Sequence, residues 1–448
     1  MNARELADRV CRTLRGAGHQ AYLVGGCVRD ILLGRQPADY DVATDASPDQ
    51  VQQLFPHSLA VGAKFGVIVV TEETEPGSHA QVEVATFRSD VGYSDGRHPD
   101  RVVYTLSPQE DVKRRDFTIN ALLLDPETNE VLDFVAGRND LKAGIIRAIG
   151  RPAERFREDK LRMLRAVRFA ARFRYAIEAG TFTAIVKGAP VIHEVSAERL
   201  RDELTKILTE GAARRGFELL DESRLLAELL PEISAMKGVE QPPQFHPEGD
   251  VWTHTLIMLA GLPAGCSPTL AWGVLLHDVG KPPTFKPPAG PEGRIRFDEH
   301  VEVGTRLAEE ICRRLRFSND DTEQIAALVA SHMRFKDALQ MKPSTLKRFV
   351  RLERFDEHLE LHRLDCTSSH GHLENYDFIR RFLAETPAEQ VRPPRLVTGD
   401  DLIAMGYRPG PPFHAILEAV EEAQLNGKVS SREDALRLVQ QSFKPHGA

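Results

Sequence analysis

The 448-residue chain lacks most of the features that mark a specialised class of protein. Its five cysteines, Cys11, Cys27, Cys266, Cys312 and Cys366, are scattered, odd in number and free of C-x-x-C pairs. That pattern argues against a disulfide framework or a zinc ribbon and leaves reduced thiols. No apolar run reaches the length that crosses a bilayer, and the N-terminal Met1-Asn2-Ala3-Arg4-Glu5 has no apolar stretch of the secretory kind. A cytoplasmic protein with no membrane partner is expected. Internal repeats and low-complexity tracts are absent too. Nor is there a global excess of positive charge: 58 Lys and Arg stand against 66 Asp and Glu, a net charge of −8, so a nucleic-acid partner would have to be met by a local basic patch. What remains is ordinary globular material, 42% hydrophobic and 28% charged. At this length about two to four domains are expected.

The most informative stretch joins a glycine turn, Leu23-Val24-Gly25-Gly26-Cys27-Val28-Arg29-Asp30, to two aspartates one residue apart, Asp39 and Asp41. Side chains on a strand alternate faces, so Asp39 and Asp41 point one way and Tyr40 the other. Residues 21–24 read as a short buried strand, and Gly25-Gly26 lets the backbone approach a phosphate with no Cβ in the way. Arg29 is then placed as a cation beside a triphosphate. Paired carboxylates facing such a turn suit Mg²⁺ that activates an attacking hydroxyl and neutralises a leaving pyrophosphate, which is nucleotidyl transfer. Asp is also common where a loop meets a strand, and D-x-D alone does not separate the two readings.

The local basic patch exists. Residues 147–174, RAIGRPAERFREDKLRMLRAVRFAARFR, hold ten cations against Glu154, Glu158 and Asp159. Arg162, Arg165, Arg168 and Arg172 recur at steps of three and four along one helix face, and Leu161, Leu164, Val167 and Ala171 line another. The face is either a solvated surface or, given its one-sidedness, a phosphate or nucleotide contact.

Around these motifs the chain has a readable order. Up to about residue 150, strand-like runs at 60–71, 81–87, 121–124 and 131–134 alternate with short helical pieces, and almost everything after that is helical. Ser47-Pro48 and Ser196 mark helix starts. Segments rich in Pro and Gly at 238–249, 282–293 and 386–394 mark loops or linkers. Glu83 is the only acid in the apolar run Val82-Glu83-Val84-Ala85-Thr86-Phe87, either a third metal-directed carboxylate or a strand-edge charge. Lys113-Arg114-Arg115-Asp116-Phe117-Thr118-Ile119-Asn120-Ala121 packs three cations, an acid and an amide into little more than two helical turns. Arg115, Asp116 and Asn120 can meet phosphates and sugar hydroxyls there.

The blocks LVGGCVRDILLG, DYDVAT, VEVATFR, RRDFTINAL and RFREDKLRMLRAVRFAARF, in this order and spacing, resemble class II tRNA nucleotidyltransferases, the CCA-adding enzymes and their bacterial poly(A) polymerase relatives. The resemblance covers roughly the first half of the chain. It implies an α+β protein: a small N-terminal α/β head with a polymerase β-like mixed sheet at 1–150, then all-helical regions, a neck and body at 151–240, an HD domain at 245–385 and a tail at 386–448. It implies Mg²⁺ on Asp39 and Asp41, with Glu83 as a third catalytic acid, and nucleotide contacts from Gly26, Arg29, Arg115, Asp116 and Asn120. The family's E-D-x-x-R motif matches Glu158, Asp159 and Arg162, whose acid and arginine read the Watson–Crick edge of the incoming base in place of a template. A carboxylate accepts from the exocyclic amine that C and A share, whereas U and G present a carbonyl there. Arg165 and Arg168 match further nucleotide-contacting arginines. Residues 89–99 resemble the family's flexible loop, intact here, which favours complete CCA addition from CTP and ATP onto tRNA over CC-only, A-only or poly(A) synthesis.

The second half carries another constellation: His254, the pair His277-Asp278, then His300, His332 and Asp365. Histidine and carboxylate ligands on several helices suit one or two transition metals that activate water for phosphoester hydrolysis. Taken singly, each histidine reads equally as a satisfied core or surface residue. In order, they resemble the HD phosphohydrolase superfamily, with Ni²⁺ or Mn²⁺ as candidate ions. Two rival readings follow: a metal phosphohydrolase whose first half only binds nucleotide or RNA, and an RNA-binding protein on an inactive enzyme fold. Neither has a use for both D-x-D and R-R-D. Residues 394–443 resemble the first family's C-terminal helical segment, which implies docking or RNA support; from the residues alone they read as a soluble helical cap. Oligomeric state is not legible.

Overall fold

The computed structural model describes residues 2–62, 66–75, 78–93, 96, 100–288 and 293–443. The chain forms two compact units, Met1–Ser234 with Pro263–Gly265, and Ala235–Leu262 with Cys266–Ala448.

The first unit opens on the helix Ala3–Gly16, started by a capping box in which Asn2 and Glu5 satisfy each other's backbone N–H groups. Its Leu6, Val10, Cys11 and Leu14 recur at helical spacing and are fully buried against a sheet. The sheet contains β1 (Ala21–Val24), β2 (Asp41–Thr44), β3 (Ser58–Gly62), β4 (Val67–Glu75) and β5 (Ser78–Thr86). After the separate hairpin of β6 (Arg88–Val91) and β7 (Arg101–Tyr104), the short β8 (Leu123–Leu124) and β9 (Val131–Leu132) complete it. Strand order is β3-β4-β5-β2-β1-β8-β9. Only β2 and β5 run parallel, and their register sets Asp41 beside Glu83. This is the expected mixed sheet, followed by the expected helical remainder.

Two expectations need correction. The run at 60–71 is not one strand but parts of β3 and β4, an antiparallel hairpin. Residues 113–121 are not one helix either: the helix Pro108–Lys113 stops, and a single 3₁₀ turn, Thr118–Asn120, follows. The reason is competition for backbone groups. Phe117 is fully buried with its N–H on Asp116 Oδ1 at 2.7 Å, and Thr118 N–H donates to Arg147 O at 3.0 Å. The basic run holds two helices, Pro152–Glu158 and Leu161–Phe173, and the second carries Arg162, Arg165, Arg168 and Arg172 as expected. They part at Asp159, which is extended (φ −148°, ψ 106°) and accepts the Leu161 N–H on Oδ1 at 3.1 Å. Behind the second of them pack Ala197–Thr209 and Ala213–Glu222. The approach is close enough that a Cβ at Gly216 would collide with Ile207.

The second unit is helical. Residues 269–276 of the helix Pro268–Leu276 are buried without a break, so it is the central element, and Trp272 is its largest fully buried side chain. Burying such side chains contributes about 1.5–3 kcal/mol each. The helices Val251–Ala260, Asn319–Ser331 and Phe355–Ser368 pack around it, and His300–Arg314 packs on Asn319–Ser331. A further apolar cluster of Leu402, Val420, Ala435 and Val439 closes the C-terminal helices on themselves. No helix among the described residues is long and apolar enough to cross a membrane.

Candidate active site and candidate metal centre

A cleft of about 470 Å³ in the first unit gathers Gly26, Arg29, Asp39, Asp41, Arg115, Asp116, Asn120, Asp159, Arg162, Arg165 and Arg168. Glu83 joins from β5, exposed and beside Asp41. At the acidic end, Asp41 begins β2, whereas Asp39 lies in the bend before it, which corrects the expectation of both on one strand. Tyr40 is buried between them, so the alternation of faces survives without a full strand. Burial first, and then the Glu83 and Asp39 charges, push the Asp41 carboxyl up to about 6 against the opposing Arg115. Three acids with so little local compensation fit a divalent cation. Gly25, at φ +80°, makes the turn before the helix Gly26–Leu32, and a Cβ there would sit 3.6 Å from both Asp41 Oδ2 and Arg115 Nη1.

At the basic end each cation is held by the protein. Arg29 is buried, donates to Asn120 Oδ1 at 2.6 Å and to Asp30 at 2.9 Å, and lies over the Phe173 ring at 4.6 Å. Arg165 reaches Asp116 Oδ2 at 2.7 Å. Burial opposes the charge on Asp116, but Arg165, Asn120 and the Phe117 N–H outweigh it and hold the carboxyl below its usual range. Arg162 donates to Glu158 at 2.7 Å and to the carbonyls of Arg155 and Arg114, both at 3.1 Å. Arg168, expected to contact nucleotide, is buried and bound to Glu203 at 2.7 Å and Glu210 at 3.0 Å. The cationic edge is thus an internally compensated network.

Several participants were not among the expected nucleotide contacts, although Arg172 was placed on the basic helix face and Arg114 in the R-R-D run. Arg114, Phe169 and Arg172 also line the cleft. The Phe169 ring carries Arg29, Arg165 and Arg168 at 5.4, 5.3 and 4.4 Å, and the alternation of Arg and Phe at 168–174 was its available signal. Arg199, from the helix Ala197–Thr209, binds Asp159 Oδ2 at 2.8 Å, and no local motif pointed to it. Tyr93, within the loop at 89–99, donates to Asp90 at 2.8 Å. Residues 94, 95 and 97–99 of that loop lie outside the described residues.

The second unit brings all six expected ligands of its centre together. Ligand atoms of His254, His277 and Asp278 lie within 4.8 Å of one another, as do those of Asp278, His300 and His332. Asp365 Oδ1 faces His254 Nε2 at 3.2 Å. His277 and His332 follow helix ends and use their Nδ1 atoms on the carbonyls of Val274 and Val329, at 2.9 and 2.7 Å, and His300 uses the Phe297 carbonyl at 2.8 Å. A ring nitrogen facing a carbonyl must carry the proton, which leaves Nε2 a bare lone pair. The Nε2 atoms of His254, His277, His300 and His332 are all buried without an aligned hydrogen bond. Lone pairs aimed at two carboxylates are a poor arrangement for an empty core and a good one for a cation. A Cβ at Gly280 would collide with the His300 carbonyl, so the glycine after His277-Asp278 permits this convergence. Asp278, shared by both groups, suits two ions. His246 and Glu248 stand next to His254 and were not among the expected ligands.

The class follows from the family matches: residues 21–147 match the Poly A polymerase head domain, 174–237 the Probable RNA and SrmB-binding site of polymerase A, and 252–354 the HD domain. Among individual relatives, the CCA-adding enzyme of Bacillus subtilis is 44% identical over 49% of this chain and 54% of its own length. That of Geobacillus kaustophilus is 41% identical over 52% and 55%. The matched chain spans little more than half the length of these relatives. A solved structure, the Bacillus stearothermophilus CCA-adding enzyme in complex with CTP, aligns over 98% of both chains with a TM-score of 0.75 and 27% identity. The Thermotoga maritima CCA-adding enzyme complexed with tRNA shares the fold, with a TM-score of 0.57 over 98% of this chain and 95% of its own at 21% identity. The chain thus carries matches to a poly(A) polymerase head, its RNA-binding region and an HD domain, and it is similar to CCA-adding enzymes over about half of their length.

Proposed function

We propose that this chain adds CCA to the 3′ end of tRNA from CTP and ATP, without a nucleic-acid template and with release of pyrophosphate. The observation that carries the reading is one cleft holding Asp39 and Asp41, with Glu83 beside them, together with Asp159, Arg162 and an arginine network. Relatives solved with CTP, with ATP and with tRNA support it. Asp39 and Asp41, aided by Glu83, hold Mg²⁺, which when bound activates the attacking hydroxyl and offsets charge on the leaving pyrophosphate. Arg29 and Arg115, beside the Gly25-Gly26 turn, take the triphosphate, and Asp116 and Asn120 fix the sugar. The RNA 3′ oxygen bonds to the α-phosphorus as the α–β phosphoanhydride bond breaks.

Asp159 accepts from the exocyclic amine of C or A while Arg162 donates to the neighbouring ring acceptor. A carboxylate offers about four lone-pair sites, so the Leu161 N–H and Arg199 leave room for the base. Arg165 acts on the nucleotide with Asp116, and Arg168 through the Phe169 ring. We assign residues 1–150 to the head, 151–240 to the neck and body, 245–385 to the HD domain and 386–448 to the tail, and place the protein in the cytoplasm. The deciding experiment supplies tRNA lacking its 3′ CCA with labelled CTP and ATP. Three added nucleotides in the order C, C, A are expected; CC only, A only, a long A tract or no addition would each replace the proposal.

A second activity has its own observation, the four buried Nε2 atoms that converge on Asp278 and Asp365 without an aligned hydrogen bond. His254, His277, Asp278, His300, His332 and Asp365 would hold Ni²⁺ or Mn²⁺, which supplies an activated water for phosphoester hydrolysis. Phosphodiester hydrolysis that depends on added Ni²⁺ or Mn²⁺ is expected, and its absence with either ion would leave the centre structural.

A further inference from the structure

The segment before the helix Val251–Ala260, which the sequence marks as a linker, is built into the histidine centre. Three of the four histidines find a carbonyl for Nδ1 three residues back along their own chain. His254 has no such option. The carbonyl three residues back, that of Val251, already accepts the Thr255 hydroxyl at 2.8 Å. The His254 Nδ1 instead meets Glu248 Oε1 at 2.6 Å. The same oxygen lies 2.9 Å from His246 Nδ1, and the Glu248 side chain is 8% exposed. Its second oxygen is buried without any hydrogen-bond partner.

The segment is pinned at several points. Asp250 accepts the N–H of Gly238 at 2.6 Å and that of Thr253 at 2.8 Å, and Val251 N–H donates to Val239 O at 3.0 Å. Further along, Gln241 Oε1 accepts from Lys281 Nζ at 2.7 Å, and the same Nζ lies 2.7 Å from Asp278. The segment therefore holds both an imidazole and, through Lys281, a carboxylate of the centre.

We propose that Glu248 is a positioning residue of this centre: its carboxylate fixes the tautomer and ring orientation of His254, turns Nε2 toward the ion and raises its basicity. A carboxylate in place of a carbonyl makes His254 the strongest donor of the set. The proposal rests on reading the histidine cluster as a metal centre, and the test separates the two.

The test uses the full chain stripped of metal and titrated with Ni²⁺ by calorimetry in excess Mg²⁺, which occupies the carboxylate site of the other unit. Imidazole favours Ni²⁺ over Mg²⁺. Glu248→Leu removes acceptor and charge, and should weaken Ni²⁺ binding about 10–100-fold, the scale for loss of such a partner. Glu248→Gln keeps shape and an acceptor oxygen but drops the charge, and should weaken it by less. A Glu248→Leu chain with the wild-type metal-free unfolding midpoint that binds Ni²⁺ with wild-type affinity overturns the proposal. Should that variant fail to fold, unchanged affinity in Glu248→Gln overturns it equally. A wild-type chain that binds no Ni²⁺ removes the metal reading and this proposal together, whereas normal wild-type binding with unaffected variants removes the role of Glu248 alone.

Discussion

The two centres of this chain handle charge in opposite ways. In the cleft of the first unit nearly every cation has a protein partner, and Asp159, Asp116 and Arg162 are held in place by Arg199, Arg165 and Glu158. In the second unit the histidine Nε2 atoms are buried without an aligned hydrogen bond and crowd around the Asp278 and Asp365 carboxylates, with His254 and His277 at 0% and 1% exposure. The first suits a visiting ligand, since a network satisfied without nucleotide persists while nucleotides come and go. The second suits a resident ion, because such a set of buried acceptors is costly until one is bound.

The sharpest way to break the comparison is to disable one centre and read the other. Asp41→Asn should lower nucleotide incorporation by at least on the order of 10²–10³-fold, the scale of losing one charge-stabilising group at a reacting centre. Binding of tRNA should hold, and a variant that still turns over would remove Asp41 from the chemistry. Asp278→Ala, by contrast, should abolish metal retained at the second centre by elemental analysis and leave CMP incorporation intact. A parallel loss of CMP incorporation would show the two sites to be one system.

A finer cut separates reading the base from holding the reader. Asp159→Ala should lower selection against UTP and GTP by about 1–3 kcal/mol, or roughly five- to 150-fold. Arg199→Ala should relax the same selectivity by a smaller factor, partly restored in Arg199→Lys. Misincorporation ratios check both, and an unchanged ratio in Arg199→Ala would make that pair purely structural.

The smallest expected effect is a pH dependence. With its carboxyl pushed up to about 6, Asp41 binds more protons in the folded state than in the unfolded one between its ordinary value near 3.8 and about 6. Its contribution to stability of the ion-free protein therefore falls as pH rises through that window. Mg²⁺ competes with that proton, so affinity in the first unit should climb with pH up to about 6 and then level off. Titration of the Asp41 carboxyl by NMR checks both signs. A value near 4 would mean that the neighbouring acids do not press on it.

Much of the cleft was legible because its parts are contiguous. The glycine turn, D-x-D and the arginine run each concentrate their chemistry within a few residues, where spacing alone says which side chains share a face. The helix start at Ser47-Pro48 was readable for the same reason. What failed was continuity. The run at 113–121 breaks because the buried Phe117 and the Arg147 carbonyl claim its backbone, whereas the arginine helix runs unbroken from Leu161 to Phe173. Arg199 and Glu248 were invisible for a different reason. Each is a single charged residue in an unremarkable context, and its importance lies in a partner: Asp159 is forty positions away along the chain.

From the sequence came the strand-bearing head and helical remainder and, through the family resemblance, the candidate acids and arginines of the first site and the six candidate ligands of the second. These are fixed by short-range periodicity and by residue chemistry. Tertiary structure decided which of those groups are already spent on one another. The Arg168 guanidinium is turned inward, Asp159 is shared with Arg199, and the segment at 238–249, read as a loop or linker, sets Glu248 against His254 of the histidine cluster. Such pairings depend on how helices close over distant strands and turns, and a charged side chain reveals its partner only once burial has removed water as the alternative.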